Sequence, residues 1–381
     1  MPAVPGFFLQ YLASMATRLV QLLVLLSFST VAASADFFGM LRVRDLSPFG
    51  FLRLDIQPAH AITIDPGTWV IEAELGYQNS WALSPEVERY LVDLESWGRR
   101  SLASAEIAAI RALPGENYLV DLELGTLYTT IHYKISPHVS GYLVVGVVNY
   151  DGGFLDGTIE NFHRDFGFDS FGREAIVRNE VNLIYDLKGA AVASVGTLPS
   201  DGGLLDPTIG VRYSRQGVDS RWLFSLEGAV KLALSGRRVL QSTGRSDYGI
   251  QVSAQYHGAR HALYGNLATV YYAGNHFPVE QDSQALPTVM LGYEYALTER
   301  THVNLQGYAS ESVYSRSQTD LDDLLADKFQ LSAGLRHRVG TYVLTFGVTE
   351  NLQNLNNTPD IGFQLGIAWI PGRSSRARLA P

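Results

Sequence analysis

Alternation of apolar and polar side chains, repeated in segment after segment, constrains this chain more than any other feature. Over residues 222–235, Trp222, Phe224, Leu226, Val230, Leu232 and Leu234 share one strand face, and Ser225, Glu227, Lys231 and Ser235 share the other. The pattern returns at 247–257, where Tyr248, Ile250, Val252, Ala254 and Tyr256 oppose Asp247, Gln251, Ser253, Gln255 and His257, and again at 361–370. Such a period of two marks a strand with a different environment on each side.

A soluble sandwich and a transmembrane barrel both satisfy that pattern, so the connections decide. Short links at 136–138, 216–220, 258–260, 298–301 and 339–340 alternate with longer ones. Bacterial outer-membrane barrels have this asymmetry, with tight periplasmic turns and long outer loops. The expected fold is therefore all-β, an antiparallel transmembrane (outer-membrane) β-barrel of about 14 strands with short helices in its loops. That count includes strands at 175–188 and 190–198, and twelve is the other count, because 190–198 and 208–215 alternate weakly. Between 117 and 135 the apolar face changes from Tyr118, Val120, Leu122 and Leu124 to Leu127, Ile131, Tyr133 and Ile135, which predicts a bulge near Gly125. Aromatic residues gather toward strand ends, as girdles at a membrane interface do.

Composition narrows the class further. Charged residues make up 18% of the chain, below the roughly 25% of an ordinary soluble domain. A net charge of -9 without clustered Lys and Arg excludes a nucleic-acid surface. Residues 1–35 read as a signal peptide, with Arg18 before the apolar run 19–31 and a cleavage site at Ala33-Ser34-Ala35. The chain has no Cys, so neither a disulfide framework nor a lipid-anchoring thiol is expected. No later apolar run is long enough for a spanning helix, which leaves a closed barrel as the only way through a bilayer. The expected organisation is signal peptide 1–35, a periplasmic or lumenal segment 36–66, barrel 67–370 and tail 371–381. Residues 84–114 read as helical, from Ser84-Pro85-Glu86 to Pro114-Gly115.

One stretch departs from the repeated strand, GGFLDGTIENFHRDFGFDSFGR at 152–173. On a helix beginning near Asp156, Leu155, Ile159, Phe162 and Phe166 share a face that would dock on the barrel wall. Asp156, Glu160 and His163 fall on the adjacent stripe, where Glu160 and His163 could share a metal or a proton. The competing reading is a cap and salt-bridge network with Arg164 and Arg173. The loop is expected to fold inward and narrow or line the barrel mouth. A fainter pattern, His138 and Ser140 with Asn149, has the residue types of a hydrolase but sits at a short turn. Fingerprints for nucleotide, dinucleotide, zinc or esterase chemistry do not appear, so no cofactor and no metal site is expected.

The 152–173 run, with ENYLVDLE at 116–123, LSPFGFLRL at 46–54 and NTPDIGFQLGIAW at 357–369, resembles the domain-of-unknown-function (3187) family of Gram-negative exported β-barrel proteins. That resemblance implies an outer-membrane-type barrel and carries no established activity. Many such barrels end on an aromatic residue, whereas here residues 371–381 follow the last strand.

The expected function is a channel or binding barrel for a small or apolar molecule in the outer membrane of a Gram-negative cell. Its lumen would be lined by Glu72, Glu74, Arg173, Arg178, Glu180, Glu227 and Lys231, together with Asn182, Gln251, Gln255, Asn304 and Gln306. Expected partners are outer-membrane lipid, the barrel-assembly and periplasmic chaperone machinery, and a small-molecule ligand. Two alternatives are a hydrolase that modifies lipid or lipopolysaccharide through Asp156, Glu160 and His163, and a structural or surface-recognition barrel acting through loops 84–114 and 310–327.

Overall fold

The computed structural model describes residues 36–44, 47, 50–58, 65–188, 190–195, 202–216, 221–277, 280–353 and 361–371. The signal peptide expected at 1–35 and nearly all of the tail lie outside them. The alternating segments form twelve wall strands, β1 (Trp69–Leu83), β2 (Asn117–Lys134), β3 (Val139–Asp151), β4 (Thr208–Gln216), β5 (Trp222–Lys231), β6 (Asp247–His257), β7 (His261–Tyr272), β8 (Gln284–Ala296), β9 (Thr301–Ser310), β10 (Lys328–Val339), β11 (Tyr342–Gln353) and β12 (Ile361–Trp369). Each pairs antiparallel with its neighbours, and β12 returns to β1 from Trp369 opposite Ile71 to Ile361 opposite Asn79. The sheet closes on itself as a 12-strand barrel.

The two segments that drop out of a count of fourteen are 175–188 and 190–198. Their described strands, Asn182–Leu187 and Ala190–Val195, form a hairpin that pairs only with the top of β2, at Asn117–Asp121. Leu183, Ile184 and Tyr185 are buried in succession, so neither face is free to meet lipid. The strand is also shorter than the 9–11 residues a bilayer crossing takes. The weakly alternating 208–215 does enter the wall, as β4.

β2 runs through Gly125 in unbroken register with both neighbours, so the expected bulge is absent. The apolar face changes because the surroundings invert along the strand. Below Gly125, Leu127, Ile131 and Tyr133 point outward toward lipid while Tyr128, Thr130 and His132 point into a polar lumen. Above it, Tyr118, Val120, Leu122 and Leu124 point inward into an apolar core that fills the mouth.

On the outside, Ile71, Leu75, Leu127, Val145, Ile209, Phe224, Leu226, Ile250, Leu305, Phe346 and Ile367 are exposed, which is the apolar belt of a membrane barrel. Trp69, Tyr133, Tyr213, Trp222, Tyr256, Tyr342 and Trp369 sit at the short-turn end, with Trp69 and Tyr133 4.5 Å apart and Trp222 and Tyr256 5.2 Å apart. They form one girdle.

β1 and β2 have 15 and 18 residues, more than a crossing needs, and they project beyond the mouth. Their outer surface there is covered by α1 (Pro85–Glu95), α2 (Ser104–Arg111) and α3 (Asp156–Phe166). Trp81, Leu83 and Leu119 pack with Val87, Leu91, Leu102, Ile110 and Ile176 in the resulting core. Residues 84–114 are thus helical as expected, but as two helices parted at Gly98 (φ 80°). Ser84 caps no amide of α1 with its side chain, and its Oγ bonds Asn117 instead.

Candidate functional site

The interior of the barrel is occupied by the chain's own residues 36–44 and 50–58. At the short-turn end, Phe38 and Gly39 donate their amides to the Glu294 carboxylate at 2.8 and 2.9 Å. That carboxylate also accepts the Tyr264 hydroxyl at 2.6 Å and meets His302 Nδ1 at 2.5 Å. Higher up, Asn304 and Gln306 donate to the carbonyls of Gly39 and Leu41, and Arg42 forms a two-pronged pair with Glu72 at 2.8 Å. Leu41 reaches the wall because Gly334 leaves room, since a Cβ there would come within 2.9 Å of it.

The segment turns at the long-loop end, where Lys328 holds Ser47 and where Phe51 and Leu52 enter the mouth core. It then descends. Lys231 donates to the Leu52 carbonyl at 2.7 Å and pairs with Asp247 at 2.8 Å, and Asp247 accepts the Leu54 amide at 2.8 Å. Lower still, Gln57 bonds Thr130, and Arg42 of the rising leg donates to the Pro58 carbonyl at 2.9 Å. The result is a U-shaped plug, bonded to the wall along its height.

The described residues of the plug and the wall enclose small cavities. Two cavities of about 40 Å³ each flank Arg44. One touches Asp55, Tyr142, Asp206 and Lys231, the other Glu74, Gln78, Thr349 and Gln364. At roughly 10–15 Å³ per water they hold a few waters, whereas a small-molecule pocket runs to about 300 Å³ or more. The Arg44 guanidinium lies 3.4 Å from the centre of the Tyr128 ring and separates them.

Of the residues expected to line the lumen, Glu72, Glu74, Glu227 and Lys231 face inward, as do Gln251, Gln255, Asn304 and Gln306. Glu227 takes Arg212 Nε at 2.6 Å and the Tyr142 hydroxyl at 2.5 Å. Arg173, Arg178, Glu180 and Asn182 do not line it. The strand expected from 175 starts only at Asn182, after left-handed turns at Phe171, Gly172 and Asn179, which place those residues in the outer cap.

The 152–173 stretch also lies in that cap, outside the mouth. It folds outward because the mouth is already filled by the apolar core. Asp156 accepts Asn79 Nδ2 and Arg173 Nη1, both at 3.2 Å, and the Asn179 amide at 2.8 Å. Glu160 takes Arg99 at 2.6 Å and Arg178 Nε at 2.8 Å, and this bonding raises the Arg178 pKa. His163 stands apart, with Nδ1 2.8 Å from the Asp169 carbonyl. The two acids and the imidazole therefore do not converge, and no metal-ligating cluster occurs among the described residues. Arg173 is a partner as expected, while Arg164 bonds Asn161. His138 Nδ1 meets the Ser214 carbonyl just before β3, and Asn149 lies at the far end of that strand.

These contacts separate two substitutions. Asp156→Ala removes a buried carboxylate that bonds Arg173, Asn79 and the Asn179 amide, and is expected to cost on the order of 3 kcal/mol. His163→Ala should stay within about 0.5 kcal/mol. Urea titration of the refolded variants, followed by tryptophan fluorescence, measures both.

Sequence reasoning did not identify Arg42, Arg53, Asp55 and Glu294 as site residues. A signal was present, since Arg42, Arg44, Arg53 and Asp55 alternate with Leu41, Val43, Leu52 and Leu54. The prolines of that segment hid it.

A family model described as "Protein of unknown function (DUF3187)" matches residues 98–369. Among curated proteins none matches the chain in sequence. The chain is similar in fold to an outer-membrane channel from Pseudomonas putida F1, at 8% identity over 83% of this chain and 99% of that one, with a TM-score of 0.49. It is similar also to the NanC porin (6%, 79% and 100%, 0.41) and to the toluene transporter TodX of P. putida (8%, 81% and 91%, 0.36). The plug residues 36–44 and 50–58 fall before the matched span, which begins in the cap and takes in every wall strand from β2 to β12. By that match the chain belongs to the DUF3187 family of proteins of unknown function.

Proposed function

We propose that this protein is an outer-membrane conduit or binding barrel for a small molecule, closed at rest by its own residues 36–44 and 50–58. The short turns face the periplasm, and the cap faces outward. One observation carries the reading, namely that the plug meets the wall through charged and polar groups along its length. A permanent filler would do as well or better with apolar packing, because buried ion pairs seldom outperform hydrophobic replacements. A polar seam, unlike an apolar one, can exchange its bonds for water when the plug shifts. Tyr118, Tyr185 and Tyr272 form an apolar threshold above this polar shaft, which supports a permeant with an apolar part.

Glu294 is the latch at the periplasmic end. In a liposome-swelling assay with small neutral solutes, native protein is expected to give slow swelling and Glu294→Ala faster swelling, because the variant frees the Phe38 and Gly39 amides. Absence of swelling from both proteins, over a range of solutes, contradicts the conduit reading.

A further inference from the structure

We propose that α3 and its flanks form a membrane-surface anchor, whose occupant is the lipid of the outer leaflet. This inference rests on the outer-membrane orientation above and does not depend on conduction.

Four phenylalanines in this region are open, Phe154 at 68%, Phe162 at 51%, Phe166 at 68% and Phe168 at 58% exposure. Phe162 lies 4.7 Å from Phe166 and 5.9 Å from Phe168, so three of them make one patch. An exposed aromatic patch of this kind marks an interaction surface.

Continuity with the belt identifies the occupant. The outward column of β1 runs Trp69, Ile71, Ala73, Leu75, Tyr77 and then Asn79, which is fully covered by the cap. Trp69 to Tyr77 is about 27 Å along the strand, or roughly 20 Å once tilted, close to the 25 Å apolar band of a membrane barrel. Tyr77 therefore marks the outer edge of the bilayer. Phe154 stacks on Tyr77 at 5.1 Å, and α3 begins two residues later.

The helix is built for that level. Asp156, Ile159 and Glu160 bury toward the β1–β2 projection, Phe162 and Phe166 lie on one flank, and Asn161, Arg164 and Asp165 stay exposed on the other. A helix with one apolar flank, placed at the headgroup boundary, lies in the plane of the interface.

The chain has no cysteine, so single labels report cleanly. Phe162→Cys, Phe166→Cys, Leu75→Cys and Arg164→Cys variants carry an environment-sensitive fluorophore in phosphatidylcholine vesicles. A fraction of the lipid bears a nitroxide near the top of its acyl chain. Quenching at 162 and 166 is expected to approach that at 75 and to exceed that at 164 several-fold. Quenching at 162 and 166 by aqueous iodide alone, as at 164, overturns the anchor. Protection from both quenchers also overturns it, because the patch is then covered by protein, for instance a second copy. Lipid quenching at 75 reports barrel insertion separately, so loss of the anchor and failure of the transmembrane reading give different results.

Discussion

Replacing Lys231 by methionine is expected to destabilise the barrel by about 3–5 kcal/mol, because it leaves a buried carboxylate uncompensated. Lys231 and Asp247 are both buried on the inward face, 2.8 Å apart. Asp247 accepts the amides of Leu54 in the plug and of Ala273 beyond β7, while Lys231 also holds the Leu52 carbonyl and Thr243. One charge pair thus ties β5, β6, the descending leg of the plug and two outer connections together. Loss of the cation alone leaves Asp247 with amides but no counter-charge. Removing both charges, in Lys231→Met with Asp247→Leu, should recover part of the loss, since a buried pair replaced by apolar groups of similar volume is often near neutral. Urea titration followed by heat-modifiable gel mobility reads the order. The double variant should fall between native protein and Lys231→Met, and additive losses would mean that the pair is not coupled.

The wall was legible in the sequence because a crossing strand with one environment on each side for its whole length alternates cleanly. Where the environment changes along a strand, the same pattern misleads. β2 suggested a bulge at Gly125, yet the strand is regular and only its surroundings invert, from lipid outside and polar lumen inside to a cap outside and an apolar mouth inside. The 182–187 segment shows the same difficulty. Its consecutive buried residues reflect a strand inside the cap, which periodicity cannot place.

The plug was less legible. Residues 36–66 left a periplasmic or lumenal course open, because bonds such as Glu294 to Gly39 join residues 255 positions apart, and no local pattern encodes them. For 152–173, the helical wheel found the apolar flank of α3 but not its partner. Leu155 and Ile159 are buried in protein, whereas Phe162 and Phe166 stay open. An apolar stripe shows that a residue avoids water, not whether it meets core or lipid.

Removal of residues 36–58 has the largest functional effect expected here. The cavities beside the plug admit a few waters, while the segment itself occupies the lumen from Glu294 at one end to Lys231 at the other. The remaining wall would be a 12-strand ring lined by Glu72, Arg212, Glu227, Gln251 and Arg336, which water can fill. Planar-bilayer recording of native protein and of the variant lacking residues 36–58, each first shown to be folded by heat-modifiable mobility, tests the plug most directly. Native protein should be closed or pass rare small currents, and the variant should give large, stable conductance steps. Equal conductance in the two folded proteins would contradict closure of the barrel by its own N-terminal segment.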